Sequence, residues 1–113
     1  MKRPEQNFQI ALVKLLRSAA LPDVFWFHVP NQRKQSLYMG QLFKKLGVRS
    51  GVPDLCFVHD GRFFGLELKA GNGSATENQL QALSDIDRAG GYSCVVHDID
   101  RAQGVLRAWG IIR

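Results

Sequence analysis

No run of 18 apolar residues occurs in this chain, so no segment has the length and hydropathy of a membrane-spanning helix. The opening stretch, Met1-Lys2-Arg3-Pro4-Glu5-Gln6-Asn7, turns polar at once and lacks the apolar core of a secretory signal. Cysteine is scarce. Cys56 and Cys94 each sit in an apolar, strand-like run, and they read as reduced core residues, not as a disulfide framework or a zinc site. These absences together lead us to expect a cytoplasmic protein with no membrane partner. There is no internal repeat, low-complexity tract or linker, and no helix-turn-helix or zinc-finger pattern. Acidic residues are the minority: ten Asp and Glu against fifteen Lys and Arg, a net charge of +5. That balance favours an anionic partner without choosing among several kinds of basic domain, nucleases included.

What remains is a 113-residue chain with 45% hydrophobic residues, which is one domain, 1–113, with a single modest core. Helix-spaced Phe8, Ala11, Leu12, Leu15, Leu16 and Ala19 predict a first helix after Pro4, ended by Pro22. Val24 to Val29 is a strand candidate. Leu37 to Leu46 predicts a short helix stopped by Gly47. Pro53 to Val58 and Phe63 to Lys69 read as two strands, joined through Asp60-Gly61, a strong signal for a two-residue hairpin turn. Thr76-Glu77-Asn78-Gln79 has the form of a capping box, with Thr at the N-cap and Gln at N3. The helix it opens runs to about Ala89. Tyr92 to His97 is a further strand, and Asp98 caps a last helix through Trp109. The predicted order, α-β-α-β-β-α-β-α, is a mixed α/β (α+β) domain.

The hairpin carries the chemistry. With Asp60 and Gly61 as turn residues, paired positions sum to 121, so Asp54 faces Glu67. Opposed residues share a face, roughly 5 Å apart at Cβ, and Lys69 shares it too, two residues beyond Glu67. Phe64, Leu66 and Leu68 point the other way, into a core. Opposed carboxylates repel. Lys69 supplies one compensating charge, and a hard divalent cation such as Mg²⁺ or Mn²⁺ would supply two more. A metal ion there polarises a phosphate and activates water, while Lys69 orients that water or stabilises developing charge. The competing reading is an ordinary strand with a polar solvent face and a Glu67–Lys69 ion pair. The register also depends on the two-residue turn, which a bulge would break.

Gly47-Val48-Arg49-Ser50-Gly51-Val52-Pro53-Asp54-Leu55, then Gly65-Leu66-Glu67-Leu68-Lys69, then Thr76-Glu77-Asn78-Gln79, resembles the virus-type replication-repair nuclease (VRR-NUC) family of the PD-(D/E)XK nuclease superfamily. His28-Val29-Pro30-Asn31 and an early Glu5 fall where that family has an H-x-P-N segment and an N-terminal glutamate. The chain departs from it at Thr76-Glu77-Asn78, where the family often has Ser-Pro-Glu before the Gln. The resemblance implies a restriction-endonuclease-like core, a central mixed β-sheet flanked by helices of α-β-β-β-α-β type, here with an extra helix before the hairpin. It implies Asp54 and Glu67 as metal ligands helped by the Leu68 backbone carbonyl. Lys69 would be the catalytic lysine, Glu5 would reach the metal directly or through water, and Gln79 would approach the same site. It also implies a homodimer acting on branched DNA such as four-way (Holliday) junctions, since small stand-alone members, phage or bacterial, are of this kind.

Each assignment has a plainer alternative. Glu5 complements the dipole of its helix, Gln79 completes the capping box, Asn31 makes a turn, and His28 is a satisfied, half-buried histidine. Arg33, Lys34, Lys44, Lys45 and Arg49, just before Asp54, are candidates with Asn31 for contacts that position DNA by its phosphates. Trp26, Phe27, Leu37, Tyr38, Leu42 and Phe43 are either interior or available for a twofold interface. Three alternatives stay open at the level of function: a non-catalytic nucleic-acid-binding module, a nuclease acting on RNA or linear DNA, and a sequence-specific nuclease of restriction or toxin type.

Overall fold

The computed structural model describes residues 4–30 and 36–113. Its elements are α1 (Pro4–Ala19), β1 (Phe25–His28), α2 (Leu37–Lys45), β2 (Leu55–His59), β3 (Arg62–Leu68), α3 (Glu77–Arg88), β4 (Tyr92–Val96) and α4 (Ile99–Ala108). The order is the predicted one, with every element within a few residues of its expected place. The four strands form one sheet in the order β1-β2-β3-β4. β1, β2 and β3 pair antiparallel, and β4 returns parallel to β3 after the α3 crossover, so the sheet is mixed.

Local chemistry accounts for the joints. Asp60 (φ 53°) and Gly61 (φ 74°) both adopt positive φ, as a tight I′ hairpin turn requires. The hairpin therefore keeps the predicted register: Leu55 pairs Leu66 and His59 pairs Arg62, each summing to 121. Thr76 and Gln79 form the reciprocal capping box, and Asp98 caps α4 through the Arg101 amide. α2 ends as predicted at Gly47, where the Gly47 and Val48 amides bond the Lys44 and Phe43 carbonyls, closing the last turn.

Both faces of the sheet are covered. Leu12 and Leu16 of α1 and Ala102 and Leu106 of α4 join Leu55, Phe57, Phe64, Leu66 and Leu68 in the main core. α3 lies over the opposite face, where a Cβ on Gly65 would sit 3.4 Å from Ile86 Cδ1. The hairpin face bearing Gly65 and Glu67 is thus interior, and the alternative of a polar, solvent-facing strand is overturned: Glu67 is 1% exposed and Lys69 8%. By contrast, α2 has no buried residue. Leu37 and Tyr38 are largely exposed and Phe27 more than a third exposed, whereas Trp26 packs against the core. Cys56 and Cys94 are free thiols.

Candidate active site

Asp54 stands one residue before β2. Extending the register by one step sets it opposite Glu67, since 54 and 67 also sum to 121. Two glycines let the chain approach closely enough for this. A Cβ at Gly65 would lie 2.6 Å from Pro53 Cγ, and one at Gly51 (φ +80°) would lie 2.5 Å from the Asn78 carbonyl oxygen. Segment 51–54 is therefore pressed between β3 and the first turn of α3, and only hydrogen fits at either contact.

Asp54 is fixed from two sides. Its Oδ2 accepts a hydrogen bond from the Leu68 amide at 2.8 Å. Its carbonyl oxygen is 2.6 Å from His28 Nδ1, and because a carbonyl only accepts, the imidazole carries its proton on Nδ1. His28 is thus satisfied, as the plainer reading had it, but it is exposed instead of half-buried, and it lies beside Asp54. Sequence reasoning missed that proximity; its position in the H-x-P-N-like segment was the available signal.

Across the hairpin, Lys69 Nζ stands 3.7 Å from Glu67 Oε2, while Glu67 Oε1 is buried without a hydrogen-bond partner among the described residues. The electrostatics follow from this crowding. Burial, then the Asp54 charge, pushes the Glu67 carboxyl up to about 8 against the opposing pull of Lys69. Burial also raises Asp54, with the Leu68 amide and His28 acting in the other direction. Glu5, exposed in the first turn of α1, adds a third negative charge that raises both. Burial and the neighbouring Asp54 likewise raise the Cys56 thiol, to about 11, so it stays protonated and inert.

Two opposed carboxylates, one of them buried with an orphaned oxygen, are oxygen donors of the kind that hard divalent cations take. No group of three His, Cys, Asp or Glu side chains among the described residues is arranged to hold a metal ion by itself. The donors these residues offer are therefore two carboxylates, open to completion by backbone oxygen and water. Such a composition suits Mg²⁺ or Mn²⁺, which keep part of their water shell.

The other predicted residues divide. Gln79 spends its side-chain oxygen on the Thr76 amide, as the capping-box reading had it, and also lines a groove of about 950 Å³ between α2 and the start of α3. Lys44 and Arg49 line the same groove, but the Arg49 guanidinium bonds the Asp85 carboxylate. Asp85, on which Arg49, Arg88 and Gln81 all converge, is held at about 2, and no sequence pattern had pointed to it. Lys45 is exposed on α2 and does not line the groove. Asn31, Arg33 and Lys34 lie outside the described residues.

The fold has a known counterpart. A solved structure described as a VRR_NUC domain protein superposes with a TM-score of 0.74 at 21% identity, over 96% of this chain and 88% of that one. The likeness shows that this is a mixed α+β fold of the same type, a four-stranded sheet flanked by helices. No protein-family model and no curated protein matches the chain.

Proposed function

We propose that the chain is a metal-dependent nuclease of the VRR-NUC type that hydrolyses DNA phosphodiester bonds, with Asp54, Glu67 and Lys69 as its catalytic set. The observation that carries this reading is Glu67. A carboxylate that is 1% exposed, with one oxygen unpartnered and an acid and a lysine as neighbours, is costly to fold and has no use in a packing role. Asp54 and Glu67 would hold the metal, with the Leu68 carbonyl as a third oxygen and Glu5 reaching it directly or through water. Mg²⁺ or Mn²⁺, when bound, would supply Lewis-acid activation of the scissile phosphate and of the attacking water. Lys69, anchored beside Glu67, orients the attacking water or offsets charge that grows on the phosphate in the transition state. Gln79 borders the site from the start of α3.

The finer reading places the protein in the cytoplasm as a homodimer acting on branched DNA. One site cuts one strand, so symmetric cleavage of a four-way junction needs two sites related by a twofold axis. Exposed Leu37, Tyr38 and Phe27 provide apolar surface for such an interface. Lys44, Lys45, Arg49, Arg33 and Lys34, with the amide of Asn31, are the candidates for contacts that position DNA by its phosphates.

The direct test is incubation with supercoiled, linear, single-stranded and branched DNA, and with RNA, in Mg²⁺, Mn²⁺ or EDTA. Cleavage is expected with either metal and none with the chelator. Robust cutting in EDTA ends the metal-dependent reading. Tight binding without cutting under every metal condition would favour a non-catalytic binding module.

A further inference from the structure

The groove beside the candidate site differs from it in charge and in chemistry. Among the described residues no Asp or Glu lines it, although three acidic residues influence one another next door. One part of its wall is apolar: Val29 and Pro30, Phe43 of α2, and Val48. Another part is neutral and polar, with hydroxyls from Ser50 and Thr76 and amides from Asn78 and Gln79. Lys44 brings a cation that has no acidic partner among the described residues, while the Arg49 charge is taken up by Asp85. The groove also abuts the catalytic set through the chain. Val29 follows His28, whose ring holds the Asp54 carbonyl, and Gly51 is three residues before Asp54.

A track for phosphates alone would be lined by several free cations. Among the described residues this groove offers one cation without an acidic partner, an apolar wall that includes the Phe43 ring, and amide groups that both donate and accept. Those are complementary to a nucleotide's phosphate, its base face and its base edge. In a double helix the faces are stacked and the edges paired, so neither is free to enter. A volume of about 950 Å³ falls at the upper end of ligand-binding cavities, roughly 300–1,000 Å³.

We infer that this groove receives an unpaired nucleotide of the DNA strand next to the scissile phosphate, its base against Phe43 and Val48 and its phosphate at Lys44. The inference rests on the nuclease reading for the identity of the ligand, and it specifies which feature of branched DNA the site prefers: at least one unpaired nucleotide at the branch, beside the cut. Stacking of one base on an aromatic side chain corresponds to roughly a ten- to hundredfold gain in affinity.

The experiment is fluorescence anisotropy with the full chain in EDTA, so that binding is read without cleavage. Three labelled duplexes are compared: fully paired, with one unpaired thymidine, and with an abasic sugar in place of that thymidine. The unpaired thymidine is expected to tighten binding by roughly ten- to a hundredfold, and the abasic probe to lose most of that gain. Val48→Glu, at a position 56% exposed and so tolerant of substitution, should reduce the preference to near unity. Equal affinity for all three probes overturns the inference, as does full retention of the preference in Val48→Glu. The abasic comparison needs no variant and decides the matter even if Val48→Glu folds poorly. Cleavage of the same probes in Mg²⁺ separates the two readings. Cutting without any binding preference sinks the groove alone, whereas a binding preference without cutting in any metal sinks the nuclease reading alone.

Discussion

Glu67 concentrates the electrostatic cost of this protein. In the folded chain its carboxyl titrates near 8, against an ordinary value of 4.5. The folded state thus binds a proton more tightly than the unfolded chain, and the stabilising effect of protonation is complete below about pH 4.5 and lost as pH rises through 8. Asp54 is raised as well and acts in the same direction, while Asp85 titrates near 2, below this window. In EDTA, thermal melts should therefore show a Tm that falls as pH rises from about 5 to 8, and Glu67→Gln should flatten the profile and melt higher at pH 8. A wild-type Tm that stayed level across that range would contradict the buried acid pair. Lys69 acts at the same scale but on rate. Lys69→Met should bind DNA and melt much as wild type does, while cleaving on the order of a hundredfold or more slowly. Wild-type cleavage by this variant would remove Lys69 from the catalytic set.

Among elements, the hairpin and the segment leading into it decide whether the site exists. Strands β2 and β3 align Asp54 with Glu67 only because Asp60-Gly61 makes a two-residue turn. Segment 51–54 reaches β3 only because position 65 has no side chain. Gly65→Ala would push a methyl group to 2.6 Å from the Pro53 ring, and the backbone would have to yield. We expect a loss of about 1–3 kcal/mol in denaturant unfolding, with a larger fractional loss of cleavage because Asp54 moves with Pro53. If Gly65→Ala cleaved DNA normally, close Pro53–β3 packing would not be what positions Asp54. α2 behaves differently: it buries none of its residues and borders the groove, so it serves a surface and not the core.

For the whole molecule, the question is what covers the exposed apolar surface of α2 and the β1 edge. Leu37 is 79% exposed, Tyr38 70% and Phe25 66%, more apolar area than a small basic monomer needs to show water. A twofold dimer burying this surface would also supply the second active site that paired strand cleavage requires. Light scattering at micromolar concentration should report a dimer, and Leu37→Asp with Tyr38→Asp should convert it to a monomer that nicks junctions without resolving them symmetrically. A wild-type chain that scatters as a monomer, and cuts linear duplex as readily as junctions, would sink both the dimer and the preference for branched DNA.

Most of the architecture was written locally, and so was legible in one dimension. The Asp60-Gly61 turn, the Thr76–Gln79 box, the Asp98 cap and the Gly47 stop each depend on residues within a few positions of one another, and together they delimit the elements. The facing of Asp54 and Glu67 belongs with them, because hairpin register follows from the turn alone. What depended on tertiary structure was burial and long-range partnership. Strand alternation is the same whether the second face meets water or a helix; only the tertiary structure, with α3 packed over the Gly65 face, shows that Glu67 and its ion pair with Lys69 are interior. His28 meets Asp54 from 26 residues away, and Arg49 meets Asp85 from 36, distances at which no local pattern constrains a contact. The groove lay beyond sequence for the same reason, since its walls come from four segments that only the folded chain assembles.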